Sequence, residues 1–172
     1  MMQSLNRIGY ITVFSAASIS IFVIESFFPT PLPGIRIGFA NIFILLALIF
    51  FGLKESLLIG ILKSLIGSLV LAKLFSPTFL FSMSGTLIST LAMWTILKSK
   101  LPISLIGISI IGAEVHIITQ LLIATSFFLP QVSFFYLSPI YILVSLITGS
   151  ITGIFSFQVY TKLKRRIKIC AN

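Results

Sequence analysis

The chain has 172 residues, 58% of them apolar and 9% charged, with a mean hydropathy of +1.18. A soluble domain carries about 25% charged residues, so this composition cannot coat a water-facing surface, and disorder, which needs low hydrophobicity, is excluded with it. At about 20 residues per membrane helix the length holds six or seven spans and no soluble catalytic domain besides. One membrane domain over 1–172 is expected, all-α and integral.

Twelve cations against three acids give a net charge of +9. Nucleic-acid binding would need a concentrated basic face in polar surroundings. Here the cations sit singly at the ends of apolar runs, apart from a C-terminal cluster of Lys162, Lys164, Arg165, Arg166 and Lys168. The acids are Glu25, Glu55 and Glu114, and there is no aspartate. Cys170 is the one cysteine, which rules out an internal disulfide and a cysteine-based metal site.

Apolar runs broken by Pro, Gly and charge predict six spans, over 8–28, 37–53, 56–75, 78–97, 103–129 and 134–160, with a basic tail at 161–172. Pro29, Pro31, Pro33 and Gly34 end the first, Ser76-Pro77 reads as an N-cap with proline at the first helical position, and Pro102 and Pro130 close two more. The first run is too long for the apolar part of a signal peptide and is expected to stay as a helix. Six spans place both termini on one side. With the termini inside, nine cations face the cytoplasm (Arg7, Lys54, Lys98, Lys100 and the tail) and two face outward, Arg36 and Lys73. The positive-inside rule therefore assigns both termini to the cytoplasm, with the tail against anionic lipid.

Small residues four apart let helices approach closely in lipid. Such stripes run through Thr12, Ala16 and Ser20, through Gly60, Ser64, Ser68 and Ala72, and through Ser145, Gly149 and Gly153. Most serve packing within the bundle; the first is the candidate for docking a second membrane protein. An ionised side chain at the membrane centre costs roughly 2.5 to 3.5 kcal/mol, so intramembrane charges carry information. Lys63 falls mid-way along the third span, with Glu114, His116 and Gln120 in the fifth. His116 and Gln120 share a face, whereas Glu114 points about 200° away from His116. Glu114 is then either the ion-pair partner of Lys63 or a solute contact, and His116 with Gln120 either faces a solute or is satisfied inside. Around the first loop, Glu25, Arg36 and Asn41 form a third group. Arg36 carries a planar fork suited to carboxylate or phosphate, or lies at the interface beside Glu25. Asn41 bridges helices or faces a ligand.

These stretches also carry a resemblance. ESFFPTPLPGIRIGFANI (Glu25 to Ile42), GLKESLLIGILKSLIGSL (Gly52 to Leu69), FSPTFLFSMSG (Phe75 to Gly85) and GAEVHIITQLL (Gly112 to Leu122) together resemble the membrane family called Gx transporter proteins or heptaprenyl diphosphate synthase component I. Lys63 stands where that family often has arginine, and Val115, Ile117 and Thr119 depart from its pattern around His116 and Gln120. The family is in turn similar to the substrate-binding components of energy-coupling factor transporters. That likeness implies a six-helix bundle, a vitamin-like solute held near the outer side, and docking on a membrane coupling protein with ATPases through the first helix, by position Thr12, Ala16 and Ser20. Glu25, Arg36, Asn41, Lys63, Glu114, His116 and Gln120 are the solute-binding candidates.

Chain-elongating prenyl synthases hold Mg²⁺ and diphosphate with clustered carboxylates. A chain without aspartate and with three scattered glutamates cannot build that site, and it has no P-loop, zinc-spaced cluster or Ser/His/Asp set. The expectation is therefore a solute-binding membrane subunit of an uptake system in the bacterial cytoplasmic membrane, without cofactor. The alternative is a non-catalytic membrane component of a heptaprenyl diphosphate synthase system beside a soluble synthase subunit.

Overall fold

The computed structural model describes residues 2–27, 38–99, 101–128 and 134–170. Six α-helices follow in chain order: α1 (Met2–Glu25), α2 (Asn41–Phe50), α3 (Leu53–Val70), α4 (Pro77–Lys98), α5 (Leu105–Ile123) and α6 (Phe134–Cys170), with a π-helical turn, Ala124–Phe128, extending α5. No strand occurs among the described residues. The punctuation acts as its chemistry dictates. Ser76 is extended ahead of Pro77, the first residue of α4, although its hydroxyl bonds Lys73 O and Thr78 Oγ1 and leaves the helix amides uncapped. Ser104 does cap α5, accepting from Gly107 N at 3.1 Å. Gly52, at φ 101°, makes the sharp corner between α2 and α3 that a Cβ would resist.

Two bounds differ from the sequence reading. The run at 37–53 holds only a ten-residue helix, about 15 Å long, because residues 38–40 and 51–52 are turns built from apolar residues. The tail beyond 160 is not separate: α6 continues through it for 37 residues, about 55 Å, well past a hydrocarbon core of about 30 Å. Four of the described helices are long and apolar enough to cross a membrane, within Arg7–Glu25, Pro77–Lys98, Leu105–Phe127 and Ser138–Lys164. α3 has the length but carries Lys54, Glu55 and Lys63.

The bundle is apolar outside and in part polar inside, as a lipid solvent demands. Val13, Leu58, Leu69, Leu143, Ile147 and Phe155 are exposed, whereas Ser18, Ser56, Ser64, Thr90, Ser145 and Ser156 are fully buried. α2 lies at the centre, against α1, α3, α4 and α6, and Ile44 to Leu48 are at most 4% exposed. Two apolar clusters surround it. Phe14, Ile42, Ile44, Leu46, Ala47 and Ile59 form one; Leu45, Leu48, Met93 and Ile108 form the other. At the same end Arg7 donates to Phe51 O and pairs with Glu55, tying α1 to the α2–α3 corner.

The α6 stripe packs as expected, and the α3 stripe does so through Ser68, while Ala72 lies past the helix end, exposed and at φ 53°. On α3 a Cβ at Gly60 would lie 2.7 Å from Thr86 Cγ2, and Ser64 and Ser68 are buried. On α6 a Cβ at Gly149 would lie 2.9 Å from the Ile110 Cα, and one at Gly153 3.0 Å from the Ile106 Cα. Backbone cannot give way as a flexible side-chain tip can. Gly149→Ala should therefore part α5 from α6 and cost about 1–3 kcal/mol, read as a lower thermal unfolding midpoint in detergent. Gly9→Ala, with nothing within 4 Å of the added methyl, should leave the midpoint level or raise it.

Candidate functional site

At the level where α2 begins, polar side chains from four helices converge. The Lys63 ammonium, on a residue 2% exposed, donates to Asn41 Oδ1 at 2.8 Å and Thr86 Oγ1 at 3.0 Å, with the Phe22 ring 5.8 Å away. α1, α2, α3 and α4 thus meet at one cation. Glu25, 7% exposed at the end of α1, accepts from the Phe39 amide, and Ser18 donates to Ala40 O at 3.0 Å. These two bonds pin the chain just ahead of α2 against α1. On α5, His116 and Gln120 lie one turn apart with 2.8 Å between their Nε2 atoms, an arrangement in which the amide donates and the ring accepts. Gly85 of α4 makes room for that ring: a Cβ there would lie 2.9 Å from both His116 Nδ1 and Cε1.

A cavity of about 50 Å³ connects these groups. Every α-helix lines it: Glu25 from α1, Asn41 from α2, Lys63 from α3, a run from Ser82 to Met93 on α4, one from Ser109 to Gln120 on α5, and Thr148 with Thr152 on α6. The runs on α4 and α5 each rise about 16 Å, so the space is a narrow slot along the bundle axis. Its floor rests on the apolar clusters around α2, whose Ile44, Leu45 and Met93 also line it. It therefore lies toward the end of the bundle where α1 finishes and α2 begins. Ionisable groups at membrane depth that face a shared cavity are candidates for a solute or ion site.

A family model described as heptaprenyl diphosphate synthase component I matches residues 14–159. The chain belongs to this family. The match takes in every described residue that lines the slot, from Phe22 to Thr152. No curated protein and no solved structure matches the chain.

In this heptaprenyl diphosphate synthase component I family member, five of the seven candidate site residues, Glu25, Asn41, Lys63, His116 and Gln120, face the slot. Arg36 lies outside the described residues. Glu114 is on α5 but not on the slot, and the ion pair considered for it with Lys63 does not form. Lys63 turns to Asn41 and Thr86 instead, and Arg7 pairs with Glu55. Glu114 Oε1 is buried without a hydrogen-bond partner. Thr12, Ala16 and Ser20 are all exposed on the outer face of α1, opposite the buried Ser15 and Ser18. Among the described residues no group of three or more His, Cys, Asp or Glu is placed to hold a metal ion.

Sequence reasoning missed the hydroxyls. Ser82, Thr86, Ser89 and Thr90 recur with Met93 at helical spacing on α4 and are all buried, a period-3.6 polar face that was readable in the sequence. Ser109 and Thr152 meet across α5 and α6 at 3.0 Å.

Two outcomes follow from this geometry. Asn41→Leu takes one acceptor from a buried ammonium and should cost about 1.5–3 kcal/mol of stability, measured by thermal unfolding in detergent. Gly85→Ala should displace the His116 ring. His116 is the one histidine of the chain, so a shift of its ¹⁵N-imidazole signals reports the displacement without ambiguity.

Proposed function

We propose that this chain is a non-catalytic, membrane-embedded binding subunit that holds a small polar solute in the slot and depends on a partner for energy or chemistry. The observation that carries the reading is a slot to which all six helices contribute, lined at membrane depth by Lys63, Glu25, His116 and Gln120. No structural bundle in lipid needs four such polar groups around one hollow, because each is costly to bury there. The chain forms one membrane domain. The excess of cations at the opposite end supports a cytoplasmic location for that end, with the slot toward the outside. In an uptake system this arrangement receives a solute from outside. Thr12, Ala16 and Ser20, exposed on α1, then dock the membrane coupling protein that carries ATPases, in the manner of energy-coupling factor transporters.

A second reading is favoured by the family match, whose description supports an accessory subunit of a heptaprenyl diphosphate synthase system more directly than it supports transport. In that role the chain brings membrane attachment and a polar pocket to a soluble, aspartate-rich synthase chain, since it has no aspartate of its own.

Affinity purification of the full chain from its own membrane in mild detergent separates the two. Retention of ATPases with a membrane coupling protein is the expected result for uptake; retention of a soluble prenyl synthase chain selects the accessory role. A small polar metabolite bound one-to-one, and lost in His116→Ala, is expected under either. Its absence from both the wild-type protein and every partner complex would overturn the binding-subunit reading.

A further inference from the structure

The charged side chains of the slot are engaged with the protein itself, and the hydrogen-bonding atoms left over belong to uncharged ones. Resting on the binding-subunit reading, we propose that the ligand is a small uncharged amide, a primary carboxamide or a urea. Its carbonyl oxygen sits at the Asn41 NH₂ and its N–H at the Gln120 carbonyl and the Ser82 hydroxyl.

Asn41 gives Oδ1 to the Lys63 ammonium, and the two N–H donors of its NH₂ make no hydrogen bond among the described residues. Gln120 directs Nε2 at His116 and keeps Oε1 as an open acceptor. Ser82, 5% exposed, lines the slot with a hydroxyl that has no partner among the described residues. The neighbouring hydroxyls of Ser84, Ser89 and Thr90 each turn instead to a carbonyl of α4 itself. Gly85 packs on His116 and Gly112 on Met93, so α4 and α5 run antiparallel. Ser82 is one turn from Gly85 toward the start of α4, and Gln120 one turn from His116 toward the end of α5, so the two stand at one height. Asn41 stands about one turn lower, since through Lys63 it shares a level with Thr86, the neighbour of Gly85. A turn is about 5.4 Å, a step that two hydrogen bonds of about 2.9 Å with an amide between them reach across.

Charge narrows the class. Among the described residues one cation and one anion, Lys63 and Glu25, line the slot, and both are more than nine-tenths buried. His116, accepting from Gln120, adds no charge. A guest with a net charge would bring an uncompensated ion into a desolvated space. A guest seated on Lys63 and Glu25 would have to displace Asn41, Thr86 and the Phe39 amide from them. Size narrows it again. A buried water needs about 10–15 Å³ of such space, so a cavity of about 50 Å³ holds about four waters. An amide of about four or five non-hydrogen atoms replaces them. A ketone has no N–H for Gln120, and an alcohol offers donor and acceptor from one atom, which cannot serve both heights. A site built on hydrogen bonds rejects such analogues, because its own polar groups are then left unpaired.

The test uses the full chain in lipid nanodiscs, titrated with formamide, acetamide, urea, acetone, ethanol, acetate and glycine while the ¹⁵N-imidazole signals of His116 are followed. At least one amide should shift them saturably, with acetone, ethanol, acetate and glycine at least tenfold weaker. Ser82→Ala removes a hydroxyl that the protein does not use, so its thermal midpoint should stay level or rise while the amide binds at least threefold more weakly. Asn41→Asp keeps an oxygen for Lys63 and removes the N–H donors; where it folds, it should weaken the amide at least tenfold. Acetate, glycine or acetone binding as tightly as the amides, or an affinity unchanged in Ser82→Ala, overturns the proposal. If the amides fail while a metabolite of another class occupies the slot, the amide falls and the binding subunit stands. If no solute of any class binds, both fall.

Discussion

A lysine ammonium in the interior of a lipid-embedded bundle must be surrounded by oxygen atoms, and Lys63 obtains its partners from two other helices. An ionised lysine at the bilayer centre costs roughly 2.5 to 3.5 kcal/mol when left to itself. Lys63 does not lessen that cost by stretching toward an interface, because Asn41 Oδ1 and Thr86 Oγ1 hold its tip in the bundle. The two bonds fix where α2 begins, how deep α3 sits, and which face of α4 turns inward. Asn41 is the first residue of α2, so its side chain reaches Lys63 only if the chain ahead of it is anchored. The bonds from Ser18 to Ala40 O and from the Phe39 amide to Glu25 supply that anchor. One cation therefore organises four helices.

The short α2 gives the bundle two halves of different character. Below Asn41 its side chains are wholly apolar, and they fuse with Phe14, Ile59, Met93 and Ile108 into a solid plug. Beside and above Asn41, hydroxyls and charges leave a slot. A full-length second span would have carried apolar packing through both halves and closed the hollow. The close approach at Gly85 brings His116 to its wall, and that at Gly60 seats Thr86 against α3, where it accepts from Lys63. Polar site and apolar plug are two consequences of a helix that stops after ten residues.

Much of this was legible in the sequence, and the misses have physical reasons. Six helices could be read because Pro, Gly and charge interrupt long apolar runs, and lipid lets little else survive. The length of α2 could not, since apolar residues such as Phe39, Ala40 and Phe51 make turns as readily as helix when protein buries them. Glu25, Asn41, Lys63, His116 and Gln120 stood out because such residues are rare at membrane depth. Serine and threonine did not, because each can satisfy itself on a carbonyl one turn back, as Thr90 does on Thr86 O at 2.7 Å. Only their joint periodicity on α4 reveals a face. A pair between Lys63 and Glu114 depends on the register between helices. Spacing along one helix fixes angles on that helix alone, and α5 turns His116 and Gln120, not Glu114, toward the slot.

The family description and the slot are reconciled by size. A heptaprenyl chain is seven five-carbon units of hydrocarbon, and each buried CH₂ gains about 0.8 kcal/mol only when its surroundings are apolar. A cavity of about 50 Å³ lined by hydroxyls and charges offers neither the volume nor the surroundings. A polyprenyl tail does not fit this slot, whereas Leu58, Leu69, Ile147 and Phe155 lie exposed on the apolar outer surface. In size and lining the slot matches something small and polar.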